Sequence, residues 1–305
     1  MTDSQSALVY LNGELVPYER ATVHVMTPAM KYGAAVYEGI RAYWNAEQEQ
    51  LYVFRLEEHE RRLQNSMKAM RMDREYALEE LCAAVLETLR ANDFRQDLHI
   101  RQSVFVDGSG PIGARGPVAM VVVPVRKGRF NALEGLKLCV SSWTRISDRS
   151  MPPRIKCIAN YHNGRLAQLQ AEADGYDVPL LLDEKGKVTE APTATFFLVR
   201  NGVPVTCPLT SSVLESITRD TLIQLFREEH NVEVEVREID RTELYLADEA
   251  FICGSGAEVA AVASIDRHPI GDGSIGPLTK AIQETYLNVV RGTNPAYPEW
   301  RTPIY

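Results

Sequence analysis

The stretch Lys156-Cys157-Ile158-Ala159-Asn160-Tyr161 decides the reading of this chain, because it sets a lysine five residues before a tyrosine. Further along, Glu190 stands in the strand-like run TEAPTATFFLV (189–199), and SSVLESITRD (211–220) then opens a helix. The set is an amine, a phenol, a carboxylate in an apolar run and a helix N-terminus suited to a phosphate dianion. These are the groups that pyridoxal 5'-phosphate requires of a protein.

Each group has its own chemical reason. A lysine amine attacks an aldehyde only when neutral, so burial or a nearby cation must lower its pKa. Lys156 follows MPPRI and precedes small residues, as a lysine at a strand end or turn facing a cleft would. A carboxylate facing the pyridine nitrogen keeps that nitrogen protonated and the ring an electron sink. The segment Leu214–Asp220 opens an amphipathic helix through Leu222, Ile223, Leu225 and Phe226. Free N–H groups and the dipole at such a start bind phosphate. Cys253-Gly254-Ser255-Gly256-Ala257-Glu258 forms a second small-residue turn where backbone N–H groups could meet an anion. Taken singly, Lys156 reads equally as a surface lysine, Glu190 as a strand-end glutamate in solvent, and Ser216 as an ordinary N-cap.

Composition bounds the rest. With 305 residues and 45% hydrophobic content, the chain can bury a sizeable core in two modest domains or one large one. A formal charge of −8 argues against a general binder of nucleic acid or anionic membrane. No apolar run approaches membrane-spanning length, and the opening MTDSQSALVY is too polar for a signal peptide. The five cysteines (82, 139, 157, 207, 253) show neither CxxC pairs nor His spacing, as expected of reduced thiols in a cytoplasmic protein. The six histidines form no HxxxH or HExxH pattern, so no metal is assigned.

ALVYLNGELVPY (7–18) alternates around Asn12-Gly13, a strong hairpin signal. EGIRAY, LYVFR, LHIRQSVFV and AMVVVPV read as strands. Leu56, Leu63, Met67 and Met70, then Leu78, Leu81, Cys82, Val85 and Leu89, fall at helical spacing. Without the regular beat of a parallel sheet, residues 1–125 are expected to form a smaller α+β domain. The basic, glycine-containing stretch 126–135 reads as a linker, and 136–305 as a larger, strand-rich and mostly antiparallel domain carrying Lys156. That domain is expected to hold helices from about His162 to Gly175, over 218–230 and over 277–291 with Gly292 as C-cap, and an Asn201-Gly202 hairpin. The whole reads as two α/β domains.

Two motifs are decoys. Gly108-Ser109-Gly110-Pro111-Ile112-Gly113 matches GxGxxG, yet Pro111 and the following Ala-Arg-Gly-Pro forbid the helix a dinucleotide site needs. Arg126-Lys127-Gly128-Arg129 is too short and lacks the aromatics of a nucleic-acid contact.

Together VHVMTPAMKYGAAVYEGIR, VFRLEEHERRL, VSSWTRI, KCIANY, SSVLESITRD and YLADEAFICGSGAE resemble the branched-chain aminotransferases, pyridoxal-phosphate enzymes of the two-domain D-amino acid aminotransferase-like fold (fold type IV). The similarity runs from the hairpin near residue 12 to GPLTKAIQ at 276–283. The resemblance implies that Lys156 is the Schiff-base lysine and proton shuttle, Tyr161 the phenol bonding the ring oxygen, and Glu190 the partner of the ring nitrogen. It makes Arg62 the phosphate arginine, with Ile217, Thr218 and Ser255 completing the phosphate site. It places Tyr32, Tyr37, His99 and Arg101 along the substrate pocket, and the turn at Gly256 and Ala257 on the substrate carboxylate. It further implies a homodimer or higher homo-oligomer, with the 107–113 loop reaching into the neighbour's site.

By the same resemblance, the reaction is ping-pong transamination from leucine, isoleucine or valine to 2-oxoglutarate. Asn160-Tyr161 and Glu38-Gly39-Ile40-Arg41 side with the branched-chain group. D-amino acid and (R)-selective amine transaminases of the same fold carry other residues after the lysine and stand as the alternative. A non-catalytic member of the fold is a more distant one. Three departures from the pattern stand out: His99 in place of a pocket tyrosine, no tyrosine in 124–129, and Thr195 in place of an asparagine.

Overall fold

The structure is a computed structural model describing residues 7–128 and 135–305. Residues 129–134 of the expected linker lie outside the described residues. The chain folds into two compact units. The first holds the described residues up to 128 together with Ile155–Ala159 and Val289–Tyr305; the second holds those from 135 to Arg154 and Asn160–Asn288.

The first unit is built on an all-antiparallel sheet of seven strands, in the order Arg301–Pro303, Gln50–Phe54, Ala35–Asn45, Leu98–Val106, Val118–Arg126, Leu8–Leu11 and Glu14–Pro17. The hairpin turns at Asn12 and Gly13, both at positive φ, the conformation that Asn-Gly adopts at least cost. Helices Leu56–Ala69 and Leu78–Asn92 lay Leu56, Leu63, Met67, Leu81, Val85 and Leu89 on the core formed with Val36, Ile40, Leu98, Ile100 and Val104. The last strand, at the chain's C-terminal end, belongs to this unit, a pairing that only tertiary structure reveals.

The second unit carries a nine-stranded sheet of mixed direction. Its central strands Ala194–Arg200, Glu249–Gly254 and Glu258–Ile265 are antiparallel. Three other pairings are parallel: Leu136–Thr144 with Val178–Leu182, Glu258–Ile265 with Leu136–Thr144, and Val203–Thr206 with Glu235–Val236. Helix Tyr161–Ala173 makes the crossover between the first of these pairs, and helix Ile217–His230 joins the third. The other five pairings of this sheet are antiparallel, in keeping with the expected mostly antiparallel domain. Glu249 accepts from the backbone N–H groups of Leu278 (3.0 Å) and Thr279 (2.7 Å), so a buried carboxylate satisfies the start of helix Pro277–Arg291.

The division differs from the expected boundaries at one point that matters. The expected larger domain, 136–305, includes Lys156, but Ile155–Ala159 packs in the first unit. Cys157 bridges Val36, the Tyr37 N–H donates to the Lys156 carbonyl (3.0 Å), and the Lys156 N–H donates to Ser66 Oγ (3.1 Å). Gly33 permits the approach: at φ +68, a Cβ there would stand 2.9 Å from that of Ala159. Hydrogen bonding and packing override sequence order here.

Candidate active site

The first unit brings together Lys156, Tyr37, Arg101 and His99. Ala35–Asn45 pairs with Leu98–Val106 so that Gly39 faces Arg101 and Arg41 faces His99. Tyr37 is buried, and its ring lies 3.4 Å from the Arg101 guanidinium and 4.8 Å from Lys156 Nζ, centre to atom. Lys156 itself is half-buried, its backbone tied at both polar groups as described above. Tyr32, expected on the same pocket, ends the short helix Pro28–Tyr32 and is 44% exposed. The described contacts do not join it to the others.

His99 is half-buried, and its Nδ1 is buried without a hydrogen-bond partner among the described residues. Burial, and then the charges of Lys127, Arg41, Arg101 and Lys156, lower its pKa to about 3, so the ring is neutral. Gly39 makes room for it: a Cβ there would meet the imidazole at 3.1 Å. Arg41 is fully buried and donates to the carbonyls of Lys127 (2.8 Å) and Gly128 (3.2 Å), which anchors the start of the expected linker.

Arg62 lies on the helix face that also presents His59 and Ser66, three residues before it and four after. Its Nε donates to Glu38 Oε1 (2.8 Å) and its terminal nitrogen to Glu38 Oε2 (2.7 Å); His59 Nδ1 meets Oε2 at 2.7 Å. Burial of Glu38 works to raise its pKa, but the Arg62 charge, then the hydrogen bonds from Arg62 and His59, hold it well below the usual carboxylate range. Burial lowers the pKa of His59, which leaves it a neutral donor to an ionised carboxylate.

The second unit holds the remaining candidates. Glu190 is 4% exposed, in the short strand Glu190–Ala191, where it faces Thr195 across the ladder. Arg145 donates to its Oε1 at 2.5 Å, and the Leu214 N–H donates to the same atom at 3.2 Å. Thr195 Oγ1 is buried and without a partner among the described residues. Burial pushes the nearby Cys207 thiol up to about 12, with Glu190 adding to the shift, so this cysteine is no nucleophile. Tyr161 is the first residue of helix Tyr161–Ala173.

Ser216 caps helix Ile217–His230 by accepting from the Arg219 N–H (3.2 Å), so Ile217 and Thr218 occupy its first turn. Ser255, Gly256 and Ala257 form the half-buried turn between Glu249–Gly254 and Glu258–Ile265. Each unit offers groups that a phosphorylated pyridine aldehyde could use: the first an amine and a guanidinium, the second main-chain donors in a helical first turn and a buried carboxylate. Among the described residues, no group of three or more His, Cys, Asp or Glu could hold a metal ion. Sequence reasoning cited Glu38 only as a marker of the resembled family and gave no role to it, to His59 or to Arg145. The available signal was a charge in the middle of an apolar strand for Glu38, and an arginine closing the run LKLCVSSWTR for Arg145.

The chain is similar to known aminotransferases over nearly its whole length. The family model for amino-transferase class IV matches residues 35–265. A probable branched-chain-amino-acid aminotransferase of Aquifex aeolicus is 40% identical over 299 residues, covering 97% of this chain and 96% of that protein. The solved branched-chain amino acid aminotransferase of Thermobaculum terrenum in its PLP form superposes with a TM-score of 0.92 at 42% identity, covering 99% of this chain and 100% of that one. The branched-chain aminotransferase of the thermophilic archaeon Thermoproteus uzoniensis, solved with norvaline, gives 0.94 at 40% identity, covering 98% of this chain and 100% of that one. Match over most of the length, in sequence and in fold, makes this chain a member of the class IV aminotransferases.

Proposed function

We propose that the protein is a pyridoxal-phosphate-dependent transaminase that moves the amino group of L-leucine, L-isoleucine or L-valine to 2-oxoglutarate. The observation that carries the reading is the lysine: Lys156 has both backbone polar groups anchored and its Nζ 4.8 Å from the centre of the Tyr37 ring.

When bound, the cofactor supplies an aldehyde to carry the amine and a protonated ring that takes up charge from the substrate's α-carbon. The chain's residues do the rest. Lys156 Nζ would hold the aldehyde and, as a free neutral amine, would take the proton from the substrate's α-carbon. Glu190 would accept a hydrogen bond from the ring nitrogen, and Arg145 holds its carboxylate in place. The Tyr161 phenol bonds the ring oxygen. Arg62, the first-turn N–H groups of Ile217 and Thr218, and Ser255 hold the phosphate. Tyr32, Tyr37 and His99 line the side-chain pocket, Arg101 offers a cation to a distal carboxylate, and the N–H groups at Gly256 and Ala257 take the α-carboxylate.

The protein is read as cytoplasmic: among the described residues no helix is long and apolar enough to cross a membrane, and all five cysteines are free. It is read as a homodimer or higher homo-oligomer whose partners are small amino and 2-oxo acids, with no nucleic acid. Val25 and Met30 (each 68% exposed) and Ile112 (77%) present apolar surface that assembly would bury, and Lys31 Nζ ties their segments by donating to the Gly110 carbonyl at 2.7 Å.

The deciding experiment is a panel of initial rates with L-leucine, D-alanine and (R)-1-phenylethylamine, each against pyruvate and 2-oxoglutarate. L-Leucine with 2-oxoglutarate is expected to be fastest. An inert L-leucine beside turnover of either other donor would overturn the branched-chain reading and keep the transaminase one. Lys156→Ala should abolish both the yellow colour and turnover.

A further inference from the structure

We propose that Glu38 is a positioning residue for the cofactor phosphate, acting by holding the Arg62 guanidinium in its binding orientation. The proposal rests on the reading of Arg62 as the phosphate arginine and goes beyond it.

Three observations carry it. First, the clamp is two-pronged and buried. Glu38 is wholly inaccessible, receives both Nε and a terminal nitrogen of Arg62, and is braced on Oε2 by His59 Nδ1. A fork–fork pair fixes the plane of the guanidinium, where a single contact would leave it free to swing. Second, the clamp is tied to the reactive lysine. Arg62 and Ser66 are one helical turn apart on Leu56–Ala69, and Ser66 Oγ receives the Lys156 N–H. Tyr37, next to Glu38 in its strand, donates its N–H to the Lys156 carbonyl. The lysine and the arginine are thus referenced to the same helix and strand. Third, the ion pair is desolvated, with the Arg62 side chain 11% exposed and that of Glu38 0%.

The physical consequence follows from side-chain entropy. An arginine free to sample its rotamers loses that freedom when it closes on a phosphate, and the loss weakens binding. Glu38 imposes the loss during folding, so the phosphate meets a head group already in place. Glu38 also opposes the phosphate electrostatically, so the two effects have opposite signs and the experiment separates them.

The test compares binding of pyridoxal 5'-phosphate and of pyridoxal, which lacks the phosphate, to apoprotein of the full chain, followed by tryptophan fluorescence and by absorbance of the lysine adduct. Arg62→Ala measures the phosphate arginine's share as the fall in the affinity ratio between the two ligands. Glu38→Ala and the closer-shaped Glu38→Gln should each lower that ratio roughly tenfold, the scale on which losing an outer-shell partner weakens a bound group. Pyridoxal affinity should hardly move. The double variant Glu38→Ala with Arg62→Ala should lose no more than Arg62→Ala alone.

Equal losses for both ligands would reduce Glu38 to a structural role, and a raised ratio would make it an electrostatic brake; either overturns the proposal. An unchanged ratio in Arg62→Ala would overturn the reading of Arg62 itself, and the proposal with it. If Glu38→Ala does not fold, Glu38→Gln carries the comparison, since it keeps the shape and one acceptor oxygen while breaking the fork.

Discussion

The guanidinium of Arg101 stacks 3.4 Å from the centre of the Tyr37 ring, and the same ring lies 4.8 Å from Lys156 Nζ. One buried phenol ring therefore sets the distance between the cation assigned to an acidic substrate and the amine assigned to the chemistry.

This relationship makes Arg101 testable through substrate choice. Arg101→Leu should cut kcat/KM for L-glutamate and 2-oxoglutarate by about ten- to a hundredfold, since a hydrogen bond to a charged group is worth about 1.5–3 kcal/mol. L-Leucine should lose little, because its side chain needs no cation. Steady-state kinetics on both substrates check this. Equal losses would assign Arg101 to packing on Tyr37 alone.

Glu190 and Arg145 form a buried pair, 6% and 7% exposed at the side chain. Glu190→Gln should keep the cofactor, whose phosphate contacts remain, and slow proton abstraction by roughly a hundredfold, the effect of losing one preorganised electrostatic group. It should also lower the melting temperature, because an unpartnered buried charge costs about 3–5 kcal/mol. Stopped-flow half-reactions, cofactor content and thermal melts separate the two effects. Unchanged half-reaction rates would place the ring's carboxylate elsewhere.

What could be read from residues and what could not divides on physical lines. The Asn12-Gly13 and Asn201-Gly202 hairpins and the helices Leu56–Ala69, Leu78–Asn92 and Pro277–Arg291 followed from local chemistry: turn residues at positive φ and apolar spacing at the helical period. The three parallel pairings did not, because Leu136–Thr144 and Val178–Leu182 meet only through a crossover helix. Nor did the placement of Lys156, which depends on Ser66 and Tyr37, both distant in sequence. The roles proposed for Lys156 and Glu190 were legible because the residues that suggest them are local. The contacts of Glu38, His59 and Arg145 were not legible, because each meets a partner far along the chain.

Glu60 is fully buried, and neither carboxylate oxygen has a partner among the described residues. Burial raises its pKa well above the ordinary range and the Glu38 charge adds to this, so the folded chain keeps a proton there. The unfolded chain releases that proton above about pH 4.3, so stability at this site falls as pH rises from about 4.3 toward the folded value. Glu60→Met removes an unsatisfied acid and should stabilise by about 1–3 kcal/mol. The gain should be larger at pH 8 than at pH 5, and denaturant melts at the two pH values check it.

Assembly can be tested at the apolar surface near the decoy glycines. Ile112→Asp places a charge on a side chain 77% exposed in the single chain. If this surface is buried between copies, losing one isoleucine contact, worth about 1.5–3 kcal/mol, should raise the dimer dissociation constant about ten- to a hundredfold. Sedimentation velocity over a dilution series reads this directly. An unchanged constant would move the interface away from residues 107–113.

His99, proposed to line the substrate pocket, makes selectivity testable. Its imidazole is smaller than the tyrosine that the family resemblance leads one to expect, and burial with four neighbouring cations holds its pKa at about 3. His99→Tyr should restore aromatic wall and narrow the donor range. The preference for L-leucine over (R)-1-phenylethylamine should rise about tenfold, as expected for one or two regained ring contacts. The substitution should also change the acid limb. Because the folded pKa lies below the unfolded value of about 6.5, the neutral ring contributes stability that is complete above about pH 6.5 and is lost as pH falls toward 3. His99→Tyr removes that loss, so the variant should hold its melting temperature further into acid than the parent. Rates on the two donors and melts from pH 7 to pH 4 measure both effects. A variant with narrowed specificity and an unchanged acid limb would leave His99 in the pocket but assign the acid sensitivity to other groups.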